Sequence, residues 1–108
     1  MQITHRSEAD QTLILEIEGR LDTLTSPEAL TQLKNHLQPG ASKVLLDASR
    51  LDYISSAGLR VLLQINRDAQ GKLRVANLTP FCREILEVAG LTSVIQIFPD
   101  LESARRSE

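Results

Sequence analysis

The segment Tyr53-Ile54-Ser55-Ser56-Ala57-Gly58-Leu59-Arg60 marks the point where an apolar strand and its loop give way to a helix. The first backbone N–H groups of a helix have no partner within the helix, so a hydroxyl at this point is exposed beside free donors. Phosphorylation of such a hydroxyl would add roughly −1.5 to −2 charges. The segment therefore predicts a strand-to-helix boundary that is also the site of a switch.

The sequence on either side of this segment supports the boundary. Lys43–Ala48 is a short apolar run between polar residues, which is typical of a buried central strand. From Ala57 to about Ala69 the pattern is helical, and its broad apolar face consists of Leu59, Val61, Leu62, Leu63 and Ile65. The opposite stripe holds Arg60, Gln64, Arg67 and Asp68, for which a solvated face is the simplest interpretation.

The N-terminal part of the chain predicts two strands and a helix. Thr12–Gly19 alternates apolar and polar residues with period two, as strands do, and Gln2–Arg6 is interpreted as a short edge strand. Thr25-Ser26-Pro27-Glu28 predicts a helix start, with a hydroxyl cap, a proline in the first turn and an acid at the positive end of the dipole. Pro39-Gly40 is expected to stop this helix.

The C-terminal part repeats the same order. Leu73–Asn77 is predicted to be a strand, and Thr79-Pro80 to open a helix that ends at Gly90. The residues of this helix expected to point inward are Phe81, Ile85, Leu86, Val88 and Ala89, with Cys82 also packed there. Val94–Phe98 is predicted as a last strand, and Asp100 as the cap of a short charged helix.

Strands and helices therefore alternate along the chain. This pattern predicts an α/β domain with a mixed, mostly parallel sheet of about five strands covered by about four helices. In such sheets the functional surface lies beyond the carboxyl ends of the strands. Three segments that follow strands are therefore expected to line one edge: Gly19–Asp22, Asp47–Ser56 and Asn77–Pro80.

Composition limits the classes of protein that the chain fits. Its 108 residues suit one domain, residues 1–108, and 12 basic against 14 acidic residues argue against nucleic-acid binding. The single cysteine cannot form an intrachain disulfide, which suits a reducing compartment. The N-terminus lacks a secretory pattern, and no apolar run approaches the ~20 residues of a membrane span. We therefore expect a cytoplasmic protein with no membrane partner.

Enzymatic chemistry finds little support in the sequence. His5 and His36 lie in unrelated segments with no paired ligand pattern near Cys82, so no metal site is expected. There is no glycine-rich phosphate loop, and Ser56 has no evident histidine base that would make it a nucleophile. We expect no catalytic residues and no cofactor.

Three segments carry a resemblance to the STAS family, whose bacterial members include anti-sigma factor antagonists. Gly19-Arg20-Leu21-Asp22 follows the alternating strand, Ile54-Ser55-Ser56-Ala57-Gly58-Leu59 lies in the centre, and Ala89-Gly90-Leu91 comes near the end. The central segment is the most specific of the three, and their order and spacing together strengthen the match. The resemblance covers nearly the whole chain.

The resemblance implies a partner switch. Unphosphorylated members of this type bind an anti-sigma factor that is also a serine kinase, and so release the sigma factor. The kinase phosphorylates a serine at the start of the second helix, and a serine phosphatase reverses the reaction. Ser56 matches the family's phosphoacceptor, whereas Ser55 replaces its usual acidic neighbour and Ala57 replaces a second hydroxyl. Ser55 therefore stays open as an alternative acceptor.

A partner is expected to contact the start of this helix and its neighbouring loops. The residues predicted for this role are Asp22, Thr23, Ser55, Ser56, Ala57, Gly58, Arg60 and Gln64. Gly58 is expected to let the partner's backbone approach closely, while Leu59 anchors the helix in the core. Three polar residues also have a purely structural alternative. Asp22 could cap a turn, Asp47 could accept hydrogen bonds from N–H groups of the nearby loop, and Ser56 could serve as a helix cap.

A second function stays open beside the switch. It is a STAS binding module or scaffold subunit of a signalling or lipid-transport assembly that is never phosphorylated. We expect a monomer or a weak dimer in either case.

Overall fold

Strands and helices alternate in the computed structural model, which describes residues 1–38 and 40–107. The strands are β1 (Gln2–Ser7), β2 (Thr12–Leu21), β3 (Lys43–Ile54), β4 (Leu73–Ala76) and β5 (Gln96–Phe98). The helices are α1 (Ser26–His36), α2 (Ser56–Asp68), α3 (Pro80–Val88) and α4 (Leu101–Arg106). A 3₁₀ turn, Leu91–Ser93, precedes β5. Over the described residues, the predicted α/β order is confirmed.

The sheet is mixed and mostly parallel, as predicted. Its strand order is β1-β2-β3-β4-β5, with β1 antiparallel to β2 and each later pair parallel. The larger core cluster joins one face of the sheet to α1, α2 and α3, while α4 covers the other face through Ala104 and Leu101. Within the described ranges, none of the helices is long and apolar enough to cross a membrane.

β3 is twice as long as the apolar run that predicted it. It continues past Ala48 to Ile54 because its pairing partner changes: β4 pairs with it up to Asp47, and β2 pairs with it as far as Ile54. Two register shifts in the β2–β3 pairing accompany this extension. Asp47–Ile54 is therefore strand rather than loop, and polar residues on its exposed positions hid the extension from the sequence pattern.

Two of the three predicted helix caps are confirmed. The Thr79 hydroxyl accepts a hydrogen bond from the Cys82 N–H, and the Asp100 carboxylate accepts one from the Ser103 N–H. Thr25 is the N-cap residue of α1, so the predicted helix start holds, but its hydroxyl makes no capping bond to the helix, because it accepts from the Asp22 N–H and donates to the Arg20 carbonyl oxygen instead. α1 ends at His36, four residues before Gly40, in agreement with the predicted stop, while Pro39 lies outside the described residues.

The predicted inward face of α3 needs correction. Cys82 and Leu86 are buried, as expected for core positions, but Phe81 is 55% exposed and Val88 83% exposed. Ala89 is exposed as well. α3 is apolar on two sides, and only the side bearing Cys82 and Leu86 reaches the core, because one helix face is enough to cover this part of the sheet.

Gly58 occupies the closest contact between α2 and the sheet. A Cβ at this position would lie 2.6 Å from the Leu21 carbonyl oxygen and 2.9 Å from side-chain atoms of Ile54 and Leu21. Side chains essentially never approach a backbone oxygen so closely, so α2 can begin this near to β2 only with glycine there. The approaching backbone is thus the chain's own, and Gly58 is buried rather than open to a partner.

Replacing Gly58 with alanine is expected to destabilise the fold by about 1–3 kcal/mol, the usual range for overpacking. In a solvent-exposed helix the same change stabilises the fold by up to about 1 kcal/mol, because alanine favours helix more than glycine does. A loss of stability would therefore show that the close contact outweighs helix propensity. Urea unfolding followed by circular dichroism measures it. Ser56→Ala, at an exposed helical position two residues away, is the control and should stay within about 0.5 kcal/mol of the unaltered chain. A Gly58→Ala variant as stable as this control would contradict the packing argument.

Candidate functional site

Ser55 is the N-cap of α2, and its polar groups are all engaged. Its backbone N–H donates to the Leu21 carbonyl oxygen over 2.9 Å. Its hydroxyl donates to the same oxygen over 3.2 Å and accepts from the Gly58 N–H over 3.2 Å. Ser55 therefore ties β2, the end of β3 and the first turn of α2 together, and its half-buried side chain serves the fold.

Ser56 is the first residue of α2 and is exposed. Among the described residues, no hydrogen bond involves its hydroxyl, in contrast to the neighbouring Ser55. The cap role left open for Ser56 thus belongs to Ser55. Ser56 itself is an exposed residue of the first turn of α2.

The turn between β2 and α1 lies directly beside this helix start, because it follows Leu21. The Asp22 carboxylate accepts hydrogen bonds from the backbone N–H groups of Leu24 and Thr25, each over 3.0 Å. The N–H of Thr25 is the main reason that the pKa of Asp22 lies below its usual range. Asp22 thus caps the turn, as one of its two predicted roles required, and holds Thr23 and Leu24 outward.

Leu24 was missed by the sequence analysis. It is 90% exposed at the tip of this turn, where an apolar side chain contributes nothing to the core. It follows Leu21, whose carbonyl oxygen is bonded to Ser55, by three residues. The sequence offered no signal for it, because only the turn geometry imposed by Asp22 directs Leu24 away from the core.

A row of aromatic and basic side chains lies on the same edge of the sheet. The Arg20 guanidinium is 4.5 Å from the centre of the Tyr53 ring, and the Tyr53 and Phe81 rings are 6.3 Å apart, centre to centre. These residues come from β2, β3 and α3, so only the tertiary structure assembles the row. Arg20 and Tyr53 belong to two of the three segments expected to converge, Gly19–Asp22 and Asp47–Ser56, and a hydrogen bond from the Asn77 amide to Asp47 joins the third, Asn77–Pro80.

Asp47 serves the local structure, as its alternative role required. It is 9% exposed and accepts from the Ser49 N–H over 3.0 Å and from the Asn77 side-chain amide over 3.2 Å. These bonds join the middle of β3 to the end of β4. Within the described part of the chain, no hydrogen bond links Asp47 to Ser56.

The outer face of α2 presents the remaining predicted contact residues. Arg60 is exposed, makes no ion pair within residues 1–38 and 40–107, and lies one helical turn after Ser56 on the same side of α2. Ala57 and Gln64 are half-buried, and the Gln64 amide donates to Asp68 over 2.9 Å. Ser56 and Arg60 are thus the accessible polar groups at this end of the helix.

Ser55→Ala is expected to lower the free energy of unfolding by about 0.5–2 kcal/mol, because the first turn of α2 loses its cap. Ser56→Ala removes an equal hydroxyl from the next residue and should change stability little. Thermal or urea unfolding of both variants makes the comparison. Equal stability of the two variants would mean that the cap assignment is wrong.

Comparisons with known proteins agree with the resemblance. The model of the STAS domain family matches residues 3–104. BtrV of Bordetella bronchiseptica, provisionally named an anti-sigma factor antagonist, is 36% identical over 98 residues, which are 88% of this chain and 84% of BtrV.

Solved structures show the same fold. An anti-sigma factor antagonist from Mycobacterium paratuberculosis superposes with a TM-score of 0.82 at 20% identity, covering 96% of this chain and 92% of its own. SpoIIAA of Bacillus in its unphosphorylated form gives 0.73 at 17% identity, covering 97% and 95%. With a family match over nearly its whole length and this α/β architecture, the chain belongs to the STAS domain family.

Proposed function

We propose that the chain is an anti-sigma factor antagonist that binds an anti-sigma factor serine kinase, and that phosphorylation of Ser56 ends this binding. The observation that carries the proposal is the contrast between the two serines: the Ser55 hydroxyl is held in the fold, while Ser56 is exposed without a hydrogen bond among the described residues. The name of BtrV, at 36% identity, supports the same function.

The choice of Ser56 over Ser55 follows from access. A kinase must place the acceptor hydroxyl against the γ-phosphate of ATP, which requires a side chain free to leave the surface. Phosphorylation of Ser55 would remove the hydroxyl proton that it donates to Leu21 and would put a dianion against the Leu21 carbonyl oxygen. Ser56 can accept a phosphate with neither cost.

The fold is expected to survive phosphorylation. A phosphate on the first residue of α2 lies at the positive end of the helix dipole, which favours it by about 0.3–1 kcal/mol. Arg60 is four residues further along the same side and carries a positive charge within one helical turn. Both effects stabilise the modified helix, so the switch acts at the surface rather than through unfolding.

Phosphorylation is expected to weaken the binding of a partner instead. A phosphate covered by a partner would lose its hydration, and the nearby Asp22 carboxylate would add like-charge repulsion. A hundredfold loss of affinity requires about 2.8 kcal/mol, since each tenfold costs about 1.4 kcal/mol. Arg60 and the helix dipole offset only part of the phosphate charge, and removing the rest from water in an interface costs several kcal/mol, which is enough for this loss.

The proposed contact surface comprises the β2–α1 turn and the exposed start of α2. Its residues are Asp22, Thr23, Leu24, Ser56, Ala57, Arg60 and Gln64. Leu24 supplies an apolar anchor, and Arg60 supplies a cation for an acidic partner group. Ser55 and Gly58 contribute indirectly, because they place the first turn of α2 against β2.

Phosphorylation is tested by incubating the chain with each anti-sigma factor serine kinase of the same genome and Mg-ATP. We expect incorporation of one phosphate at Ser56, located by tandem mass spectrometry, and none in Ser56→Ala. Phosphate on Ser55 would instead support the alternative acceptor. A chain that binds such a kinase yet never acquires phosphate would favour the binding module that is not phosphorylated.

Binding is tested with Ser56→Asp, measured against the same kinase by calorimetry. We expect the aspartate variant to bind at least about tenfold more weakly, because a fixed negative charge imitates part of the phosphate. Ser56→Ala should bind like the unaltered chain. Thr92→Asp, an exposed residue in the 3₁₀ turn after α3, adds the same charge elsewhere and is the control. Equal affinities for all three variants would refute the charge switch.

A further inference from the structure

An apolar groove lies between α2 and α3. Its lining residues are Leu59, Phe81, Glu84, Ile85, Val88 and Ala89. Leu59 and Ile85 form its half-buried floor, while Phe81 and Val88 stand 55% and 83% exposed at its sides. The core does not need these exposed side chains, since Cys82 and Leu86 already fasten α3 to the sheet.

The apolar residues of α3 that line the groove have the spacing of one face of an amphipathic helix. Phe81, Ile85 and Val88 lie at i, i+4 and i+7 of α3, so their side chains form one stripe along the helix. Such a stripe beside a second helix makes the kind of groove into which an amphipathic helix lays its apolar face. The stripe is a second apolar face of α3, distinct from the one that meets the sheet.

The groove is too small to hold a protein partner alone. Six residues line it, whereas a stable interface uses about 20–30 residues on each side. A protein that occupied the groove would therefore also have to contact the surface beyond it. The groove is continuous with the surface around Ser56, because Leu59 lies one turn further along α2 and the Phe81 ring stacks on Tyr53, two residues before Ser55.

We propose that this groove receives an apolar helical segment of the same kinase that covers Ser56; the inference therefore rests on the proposed function. The charges at the groove restrict the segment further. Arg83 and Glu87 pair with each other over 3.0 Å, whereas Glu84 makes no ion pair within the described residues. The segment should thus carry a basic side chain opposite Glu84, next to its apolar residues.

The groove adds affinity without sensing the phosphate. Its lining holds one carboxylate and no cation, so it offers nothing that a phosphate on Ser56 would bind. The fold-losses of affinity caused by a substitution in the groove and by a charge at Ser56 should therefore multiply when the two are combined. The groove would set the strength of binding, and Ser56 would set whether binding occurs.

Val88→Lys tests the proposal in the full chain, with the kinase that phosphorylates Ser56 as the probe and calorimetry as the readout. The substitution should weaken binding by about tenfold, as loss of an interface anchor does. Lysine is favourable at the C-terminal end of a helix, so the fold should not suffer. Phe81→Ala, which adds no charge, should act in the same direction. Val94→Lys is the matched control: this valine is 58% exposed but lies outside the groove.

The outcomes separate this inference from the function on which it rests. Weaker binding by Val88→Lys and Phe81→Ala but not by Val94→Lys, with the Ser56→Asp loss retained in the Val88→Lys background, supports the groove contact. Unchanged affinity of Val88→Lys beside a weakened Ser56→Asp overturns the groove and leaves the switch intact. Unchanged affinity of both overturns the switch as well. Sedimentation showing a dimer that Val88→Lys dissociates would assign the groove to a second copy of the chain.

Discussion

The carbonyl oxygen of Leu21 is the point on which the arrangement of the functional surface depends. It accepts hydrogen bonds from both the N–H and the hydroxyl of Ser55. It also lies 2.6 Å from the point where a Cβ on Gly58 would be, so only glycine fits there. These contacts fix where α2 begins relative to the end of β2. With the helix start held there, Ser56 faces outward and the β2–α1 turn lies beside it.

Two adjacent serines differ in what they contribute to the fold, and the proposed regulation falls on the one that contributes less. Ser55 closes the first turn of α2 and satisfies backbone groups that would otherwise lose hydrogen bonds. Ser56 makes no such contribution, so a modification there is compatible with the fold. The proposed switch therefore needs no conformational change: phosphorylation would add charge to the surface, and the free-energy cost would fall on the binding of the partner that covers it.

The surface around Ser56 combines three kinds of contact. The turn held by Asp22 presents Leu24, the outer side of α2 presents Arg60, and the groove beside α3 presents Phe81 and Val88. In the proposed complex, the charged groups near Ser56 would respond to a phosphate, whereas the apolar groups would supply affinity through burial. The stack of Arg20, Tyr53 and Phe81 joins these regions along one edge of the sheet.

Periodicity and capping chemistry in the sequence were sufficient for the order of elements, the mixed sheet and the strand-to-helix boundary at Ser55-Ser56, because these follow from local backbone preferences. Tertiary structure alone decided the extension of β3 to Ile54, which depends on pairing with β2 rather than on its own apolar pattern. It also decided that Thr25 bonds to the preceding turn, that Gly58 packs against Leu21, and that Phe81 and Val88 face outward. An apolar residue in a sequence shows only that its burial is favourable. Whether it is buried depends on how much of the core the other helices and strands already cover.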